Sequence, residues 1–199
     1  MPKCCLIFLL SLICFLVGSF QSGTMISKIF YKIDVRKLGS KNSGATNVHR
    51  TIGLKPGIIV LILDIIKGFI PLLFMKLFLD EDIYSILGCI FLVLGHCYPI
   101  YHRFNGGKGV ATGFGSVIVL VPYIFVGLVI AIPIIYKTRF VSLGSIFGCI
   151  ISIILIAIFT ISGVLSIEYL LLISIPLLII YKHKQNIIRL YNKQENKLF

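Results

Sequence analysis

A glycine-rich segment in the first third of the chain carries residue types suited to binding an anion. Residues 39–53 read GSKNSGATNVHRTIG and lie between two hydrophobic runs. The glycines permit close backbone approach to a ligand, and Arg50 can hold a phosphate through two N–H groups. The side chains that could add hydrogen bonds are Ser40, Asn42, Thr46 and Asn47. The pattern predicts an anion site, with a solvated, turn-rich loop as the alternative.

A second glycine-rich segment, 95–115, reads GHCYPIYHRFNGGKGVATGFG. Three of its glycines would expose backbone N–H groups, and Lys108 adds a compact positive charge just before an expected helix. These glycines are Gly106, Gly107 and Gly109. A Walker A loop is excluded, because His102 stands at the first glycine position and Gly109 replaces the magnesium-binding Ser or Thr. The segment predicts a phosphate site, with a plain helix-linking turn as the alternative.

Two further polar features follow later in the chain. Helical spacing after the last apolar run would place His183 and Asn186 on one face, with Arg189 close by. Basic tails after a final helix commonly serve topology alone, and that alternative stays open. Ser142, in a run without charge, is a fourth candidate, and it would form a polar entrance with Gly144 and Ser145 before a single helix.

Two ionisable residues, Asp64 and Lys67, stand at positions i and i+3 within an apolar run. Ionisable groups at membrane depth are costly unless paired, so we expect an intrahelical ion pair that supports the site, with a proton relay as the alternative. None of the four histidines has Asp five residues later, so the HxxxxD acyltransferase dyad is absent. The sequence predicts no metal site and no cofactor.

The elements that must position these segments are membrane helices. Of 199 residues, 58% are hydrophobic and 13% charged, against about 25% charged in soluble domains. The net charge of +12 sits in short segments between apolar runs, where Lys and Arg set orientation and face anionic headgroups. This pattern excludes an ordinary soluble globule and argues against nucleic acid as a partner. We expect an all-α polytopic membrane protein in the lipid bilayer, with a single transmembrane domain, 1–199.

The candidate spans follow from the length of the apolar runs. They lie near 4–24, 56–79, 83–101, 109–136, 140–167 and 169–181. The connector 27–55 has seven basic residues and one acid, whereas 80–82 is wholly acidic, so the first is placed in the cytoplasm. Basic residues flank 109–136 on both sides, so it must cross an even number of times, as two short helices bent at Pro122. The prediction is about seven transmembrane helices, with the N-terminus outside and the C-terminus cytoplasmic.

This topology places all the polar segments on the cytoplasmic face, with at least three cations available to phosphate oxygens. The arrangement predicts a membrane-surface enzyme that acts on phosphorylated small molecules. A membrane transporter of a phosphorylated metabolite is the alternative, because broken helices and a buried ion pair would suit alternating access. Against it, the sequence has no internal repeat, and its polar segments gather on one face rather than at the midplane.

In these residues the sequence resembles the acyl-phosphate-dependent glycerol-3-phosphate acyltransferases, integral membrane enzymes of bacterial phospholipid synthesis. The resemblance spans nearly the whole chain. Its motifs are Gly18-Ser19, Gly23, Asp34-x-Arg36, Asp64-x-x-Lys67-Gly68, His96 to Gly113, Ser142-Leu-Gly-Ser145 and His183-x-x-Asn186-Ile-x-Arg189. Lys41, Tyr98 and Asn105 stand where the family usually has Gly, Phe and Lys. A left-handed backbone at Lys41 would be unfavourable for a lysine.

The resemblance implies transfer of a fatty acyl group from acyl phosphate to the 1-hydroxyl of glycerol 3-phosphate, giving lysophosphatidate and phosphate. It implies catalytic positioning by Ser40, Arg50, Lys108 and Ser142. It implies substrate binding by Asn42, Thr46, Asn47, Gly106, Gly107, Gly109, His183 and Asn186, with the glycines holding acyl phosphate and the last two residues holding glycerol 3-phosphate. The implied location is the bacterial inner membrane, with the active site on the cytoplasmic face and a functional link to the enzyme that forms acyl phosphate.

Overall fold

The computed structural model describes residues 2–198, and this part of the chain is helical and has no β-strand. Its α-helices are α1 (Lys3–Gly18), α2 (Ser22–Tyr31), α3 (Ala45–Thr51), α4 (Leu54–Phe78), α5 (Asp82–Cys97), α6 (Val110–Leu120), α7 (Phe125–Thr138), α8 (Val141–Ile161), α9 (Ser174–Lys182) and α10 (Lys184–Tyr191). Short 3-10 helices lie at Val35–Lys37, Ile100–His102, Pro122–Ile124 and Ile167–Ile173.

Several helical segments are long and apolar enough to cross a membrane. Within residues 2–198 four meet that description, Lys3–Tyr31, Leu54–Phe78, Asp82–His102 and Val141–Ile161. Val110–Leu120 and Pro122–Thr138 are shorter apolar helices. The expected all-α membrane architecture is confirmed, whereas the number of crossings and the orientation of the termini stay predictions.

The chain divides into two compact units, Met1–Leu120 and Val121–Phe199. In the first unit α4 packs against α6, and α1 packs against α5. In the second unit α8 packs against α7 and α9. The first unit contains both glycine-rich segments, and the second contains Ser142 and the basic tail.

Small residues set the distance between α4 and α6. A Cβ on Gly68 would collide with the carbonyl oxygen of Thr112, and a Cβ on Gly115 would collide with that of Ile65. Large apolar side chains of α4, such as Phe74 and Phe78, are exposed. Small residues inside and bulky apolar residues outside are the expected pattern for helices in lipid, where close backbone approach drives association.

The first apolar run is broken, although the sequence predicted one helix over 4–24. The helix α1 ends at Gly18 and α2 begins at Ser22, with Gln21 in a non-helical conformation between them. The Gln21 side chain donates a hydrogen bond from Nε2 to the carbonyl oxygen of His96, at 3.1 Å. We attribute the break to this contact, because it holds the carboxamide of Gln21 inside the first unit.

In the second half of the chain the structure confirms one predicted helix boundary and contradicts two other predictions. The break at Pro122 is confirmed, because α6 ends at Leu120 and a 3-10 helix precedes α7. The prediction of a polar entrance before the helix, at Ser142 to Ser145, is wrong, because both serines lie within α8. The hydroxyl of Ser145 donates a hydrogen bond to the carbonyl oxygen of Val141 in the preceding turn, at 2.9 Å. The run predicted at 169–181 begins as a 3-10 helix and becomes α-helical only at α9.

Candidate active site

The first glycine-rich segment is folded around the side chain of Asn47. The carboxamide oxygen of Asn47 accepts the backbone N–H of Ser40, at 2.8 Å, and the two N–H groups of its Nδ2 are shared among three backbone carbonyls. These belong to Val35 (2.8 Å), Leu38 (3.1 Å) and Asn42 (2.8 Å). Asn47 is 2% exposed. The structure therefore gives Asn47 a role in shaping the loop, and its contact with substrate stays a prediction.

The other candidates of this segment lie around the same turn. The Asn42 side chain accepts the N–H of Gly44, at 2.8 Å, in the turn that leads into α3. Thr46 and Arg50 lie in α3, where both are half-buried. Lys41 has a φ of 56°, the left-handed conformation that costs a residue with a side chain about 1 kcal/mol. The left-handed backbone that the sequence analysis considered unfavourable for Lys41 is therefore present.

An ion pair fixes the chain just before this loop. Arg36 donates from Nε to Asp34 Oδ1, at 2.9 Å, and from Nη2 to Asp34 Oδ2, at 2.7 Å, while Lys28 Nζ lies 3.3 Å from Oδ2. The hydrogen bonds from Arg36 hold the pKa of Asp34 well below its ordinary value, against the opposing effect of burial. The same pairing raises the pKa of Arg36. Both groups therefore stay charged at neutral pH and anchor the entry to the loop.

The second glycine-rich segment forms a turn that leads into α6. The N–H of Gly107 donates to the carbonyl oxygen of His96, at 3.1 Å. A Cβ on Gly107 would collide with His96 Nε2, and a Cβ on Gly106 would collide with the His96 carbonyl. Lys108 is half-buried and stands just before the first turn of α6, as predicted. A larger residue at 106 or 107 would therefore have to displace the His96 backbone or ring, or the loop itself.

Behind the second loop lies a buried group of polar side chains on α4, α5 and α6. Lys67 Nζ contacts Asp64 Oδ1 at 2.9 Å, His96 Nδ1 at 2.8 Å and the carbonyl oxygen of Phe20 at 2.7 Å. The hydroxyl of Thr112 lies 3.2 Å from the same His96 nitrogen. Ser22 donates a hydrogen bond to Asp64. The predicted Asp64–Lys67 pair is confirmed.

Gln21 joins the two glycine-rich segments. The hydroxyl of Ser43, in the first segment, donates to Gln21 Oε1 at 2.6 Å. Gln21 Nε2 donates in turn to the carbonyl oxygen of His96, which also accepts the N–H of Gly107 in the second segment. Ser43, Gln21 and His96 are all buried. One continuous chain of hydrogen bonds therefore connects the two predicted anion-binding loops.

The second unit has its own polar centre at the carboxylate of Glu195. Ser142 donates to Glu195 Oε1 at 3.0 Å, Asn186 donates to the same oxygen at 2.7 Å, and Arg189 Nε donates to Oε2 at 2.8 Å. Burial alone would raise the pKa of Glu195, but the hydrogen bonds from Arg189, Asn186 and Ser142 outweigh it and hold the pKa below its ordinary value. Ser142 and Asn186, two residues predicted as functional, thus share one acidic partner with Arg189.

His183 stands between α9 and α10 and is buried. Its Nδ1 lies 2.8 Å from the carbonyl oxygen of Ile179, which can only accept, so Nδ1 carries a proton. The imidazole is thereby held in one orientation at the start of α10, the helix from which Asn186 and Arg189 both contact Glu195.

Four residues that organise these contacts were not predicted as site residues, namely Gln21, Ser43, His96 and Glu195. Ser43 and His96 lie within the two glycine-rich segments, Gln21 stands at the end of the first apolar run, and Glu195 is one acid in a basic tail. These positions were the available signal. Their partners lie at sequence separations of 22 for Ser43 and Gln21, 75 for Gln21 and His96, and 53 for Ser142 and Glu195. Local spacing could not pair residues at such separations.

These features define an all-helical integral membrane protein in which polar and charged side chains surround glycine-rich loops. The family model described as Glycerol-3-phosphate acyltransferase matches residues 8–193. The chain belongs to this family.

Relatives and solved structures agree with that assignment. Glycerol-3-phosphate acyltransferase of Fusobacterium nucleatum is 42% identical over 186 residues, covering 92% of this chain and 93% of its own. The enzyme of Listeria monocytogenes is 38% identical over 196 residues, covering 96% of each chain. The crystal structure of PlsY (YgiH), an integral membrane glycerol 3-phosphate acyltransferase, in its glycerol 3-phosphate form is 37% identical, with a TM-score of 0.85 and coverage of 96% and 94%. Its lysophosphatidic acid form gives a TM-score of 0.82.

The resemblance inferred from the sequence is therefore confirmed. The protein is an integral membrane acyltransferase of lipid synthesis. Family membership decides against the carrier alternative.

Proposed function

We propose that this protein transfers a fatty acyl group from acyl phosphate to the 1-hydroxyl of glycerol 3-phosphate, giving 1-acylglycerol 3-phosphate and inorganic phosphate. The observation that carries the proposal is the chain of hydrogen bonds through Gln21, which ties two glycine-rich loops together. Two linked loops suit a reaction in which both substrates carry a phosphate. The names of the relatives and the two ligand forms of the PlsY structure support glycerol 3-phosphate as the acceptor.

Acyl phosphate as donor fits the side chains that this protein has. The donor is a mixed anhydride with a good leaving group, so no covalent enzyme intermediate is required. The acceptor hydroxyl oxygen attacks the acyl carbonyl carbon, the bond from that carbon to the phosphate oxygen breaks, and the hydroxyl proton passes to phosphate. Positioning and electrostatic stabilisation can then carry the rate.

The roles we propose follow from residue type and from the places described above. Lys108 and Arg50 neutralise phosphate charge, and Ser40 adds a hydroxyl hydrogen bond. Ser142, whose one hydroxyl proton goes to Glu195, helps to position substrate. The backbone of the second glycine-rich segment holds acyl phosphate through Gly106 and Gly109, whereas Gly107, whose N–H donates to the His96 carbonyl, shapes the loop. Asn42, Thr46 and Asn47 are proposed to bind substrate or to hold the loop that does. His183 and Asn186 bind glycerol 3-phosphate.

We propose that the reaction is the first acylation of phospholipid synthesis, at the cytoplasmic face of the bacterial inner membrane. The positive-inside rule supports that face, because the basic connectors carry the polar segments. The residues 1–199 would act as one catalytic domain. The donor must come from an enzyme that forms acyl phosphate, and the product must go to a second acylation.

The test is product formation by purified protein in detergent. Radiolabelled glycerol 3-phosphate is supplied with palmitoyl phosphate, and lipid-extractable lysophosphatidate and released phosphate are measured. We expect both products in equal amounts, and none when palmitoyl phosphate is omitted. Uptake of label into proteoliposomes without lysophosphatidate would instead indicate a carrier and overturn the proposal.

A further inference from the structure

We propose that His96 is a positioning residue, which holds the Gly106–Gly109 loop in its phosphate-binding shape and is itself held in one tautomer by the buried Asp64–Lys67 pair. The inference deepens the proposed function and rests on it for the identity of the substrate. It gives the buried Asp64–Lys67 pair of α4 a part in the reaction, although neither residue is proposed to contact substrate.

The tautomer of His96 follows from the donors of Lys67. A lysine ammonium has three N–H donors and no acceptor. The three atoms within hydrogen-bond distance of Lys67 Nζ are Asp64 Oδ1 at 2.9 Å, the Phe20 carbonyl oxygen at 2.7 Å and His96 Nδ1 at 2.8 Å. His96 Nδ1 must therefore accept. A neutral imidazole that accepts at Nδ1 carries its proton on Nε2.

The opposite edge of the same ring lies against the glycine loop. His96 Nε2 occupies the place that a Cβ of Gly107 would need, so ring and loop are in contact at that residue. The backbone of His96 adds a second attachment, because its carbonyl oxygen accepts the N–H of Gly107 at 3.1 Å. Ring and backbone together fix the position of the residue that precedes Lys108.

Asp64 determines how firmly this arrangement is held. Its carboxylate keeps the Lys67 ammonium beside His96 and accepts the hydroxyl hydrogen bond of Ser22. The side chains of Asp64 and Lys67 are 4% and 9% exposed, where an ion pair is screened little. Without the pair, Nδ1 would keep the Thr112 hydroxyl of α6 at 3.2 Å. Because a hydroxyl can donate or accept, the ring would then be free to change tautomer.

The first experiment measures the tautomer directly and does not depend on activity. His96 is the one histidine that follows a glycine, so protein labelled with 13C at the glycine carbonyl and with both 13C and 15N in histidine gives a unique Gly95–His96 amide signal, from which the ring nitrogens of His96 are assigned. In lipid nanodiscs we expect a neutral ring protonated at Nε2. A ring protonated at Nδ1, or at both nitrogens, would overturn the inference even if lysophosphatidate formation is confirmed.

The second experiment measures which kinetic constant changes. In His96→Gln and His96→Asn we expect the KM for palmitoyl phosphate to rise about tenfold or more, while the KM for glycerol 3-phosphate stays within about twofold. Gln should retain more function than Asn, because its carboxamide reaches the position of Nε2. His102→Gln, the same change in the 3-10 helix before the loop, is the matched control and should leave both constants unchanged.

A double-mutant cycle tests whether the ion pair acts through His96. Asp64→Asn combined with Lys67→Met removes both buried charges together, which avoids an unpaired charge. We expect this pair of substitutions to raise the palmitoyl phosphate KM, and to add little when His96 is already Gln. Independent, multiplicative effects in folded proteins would contradict the inference, as would unchanged KM values in the His96 variants of an active enzyme. Inactive wild type would instead count against the proposed function.

Discussion

Ser142, at the start of α8, donates its hydroxyl hydrogen bond to Glu195 in the C-terminal tail, at 3.0 Å. Glu195 also accepts from Asn186 and Arg189 of α10, and its side chain is 3% exposed. One carboxylate therefore holds α8, α10 and the tail of the second unit together. The hydroxyl of Ser142 and the amide of Asn186 gain fixed positions from this contact, so their orientation depends on an acid that touches both.

Replacement of Glu195 by Gln should destabilise the protein at neutral pH by about 2 kcal/mol, because Arg189 loses its charged partner and the amide offers it a donor in place of an acceptor. The folded-state pKa of Glu195 lies below its ordinary value, so the ionised carboxylate stabilises the folded protein at pH values above the unfolded-state pKa, about 4.3. This stabilisation is lost as the pH falls through the folded-state pKa. Thermal unfolding in detergent should show a gap between wild type and Glu195→Gln at pH 7 that closes as the pH falls through the folded-state pKa.

Glu168→Gln is the matched control for this prediction, since it makes the same change at a half-buried position of the same unit, outside the Glu195 network. Its unfolding temperature should follow wild type at every pH. A wild-type-like Glu195→Gln protein at pH 7 would mean that the network contributes nothing to stability.

Replacement of Gly107 by Ala should lower turnover by at least about tenfold, because the added Cβ would meet the His96 ring and displace the loop that carries Lys108. Gly148→Ala is the control, because a Cβ there meets the carbonyl oxygen of Gly127 at 3.4 Å, an ordinary contact. Steady-state phosphate release, with unfolding temperature measured in parallel, separates the two. Full activity in Gly107→Ala would show that the loop can move without cost.

The fold was predictable where it depends on local composition. Apolar runs of membrane length became helices, and Pro122 ended one because proline lacks an N–H and disrupts the helix before it. The break after Gly18 was not predictable, because it depends on Gln21 reaching the carbonyl of His96, 75 residues away. A single polar residue in an apolar run gives no indication of its partner.

The glycine-rich loops of the candidate site could be predicted from the sequence, whereas the buried residues that hold neighbouring site residues in place could not. Glycine, lysine and hydroxyl residues at 39–53 and 106–109 indicated anion binding because those residue types interact with phosphate directly. Glu195 counted only as one acid in a basic tail, and His96 only as a histidine without an Asp partner. Both act through tertiary contacts, which spacing along the chain does not encode.

Single cysteines should report the orientation of the connectors. With the exposed Cys4 and Cys5 replaced by Ser, cysteines placed near Asp80 should react with an impermeant reagent from outside intact cells. Those near Gly107, Thr138 and Lys193 should react only after permeabilisation. Reaction of the 138 position from outside would mean that 109–136 crosses the membrane once and that the seven-span prediction is wrong.

The acyl donor should be acyl phosphate alone. Acyl-CoA carries its acyl group on a thioester sulfur, and the chain has no HxxxxD dyad to activate a hydroxyl against it. Palmitoyl-CoA should therefore give no lysophosphatidate with purified protein, under conditions where palmitoyl phosphate gives rapid turnover. Comparable rates with palmitoyl-CoA free of acyl phosphate would contradict the proposed mechanism.

Removal of a basic residue from the glycine-rich loops should lower turnover far more than removal of one from the C-terminal tail. If Lys108 and Arg50 stabilise phosphate charge that changes during transfer, Lys108→Ala and Arg50→Ala should each lower turnover on the order of 100-fold, about 2.7 kcal/mol. Lys108→Arg should also fail, because a planar guanidinium does not fit where a compact ammonium stands between Gly107 and Gly109.

The matched control for these cations is Lys193, an exposed residue of the tail with a φ of 57°. Asn tolerates that backbone, so Lys193→Asn removes the charge without adding strain and should keep turnover within about twofold. Steady-state phosphate release by folded protein is the measurement for all four variants. Lys108→Ala within a few-fold of wild type would mean that residues 106–109 are only a turn between two helices, and that the charge needed for transfer comes from elsewhere in the protein.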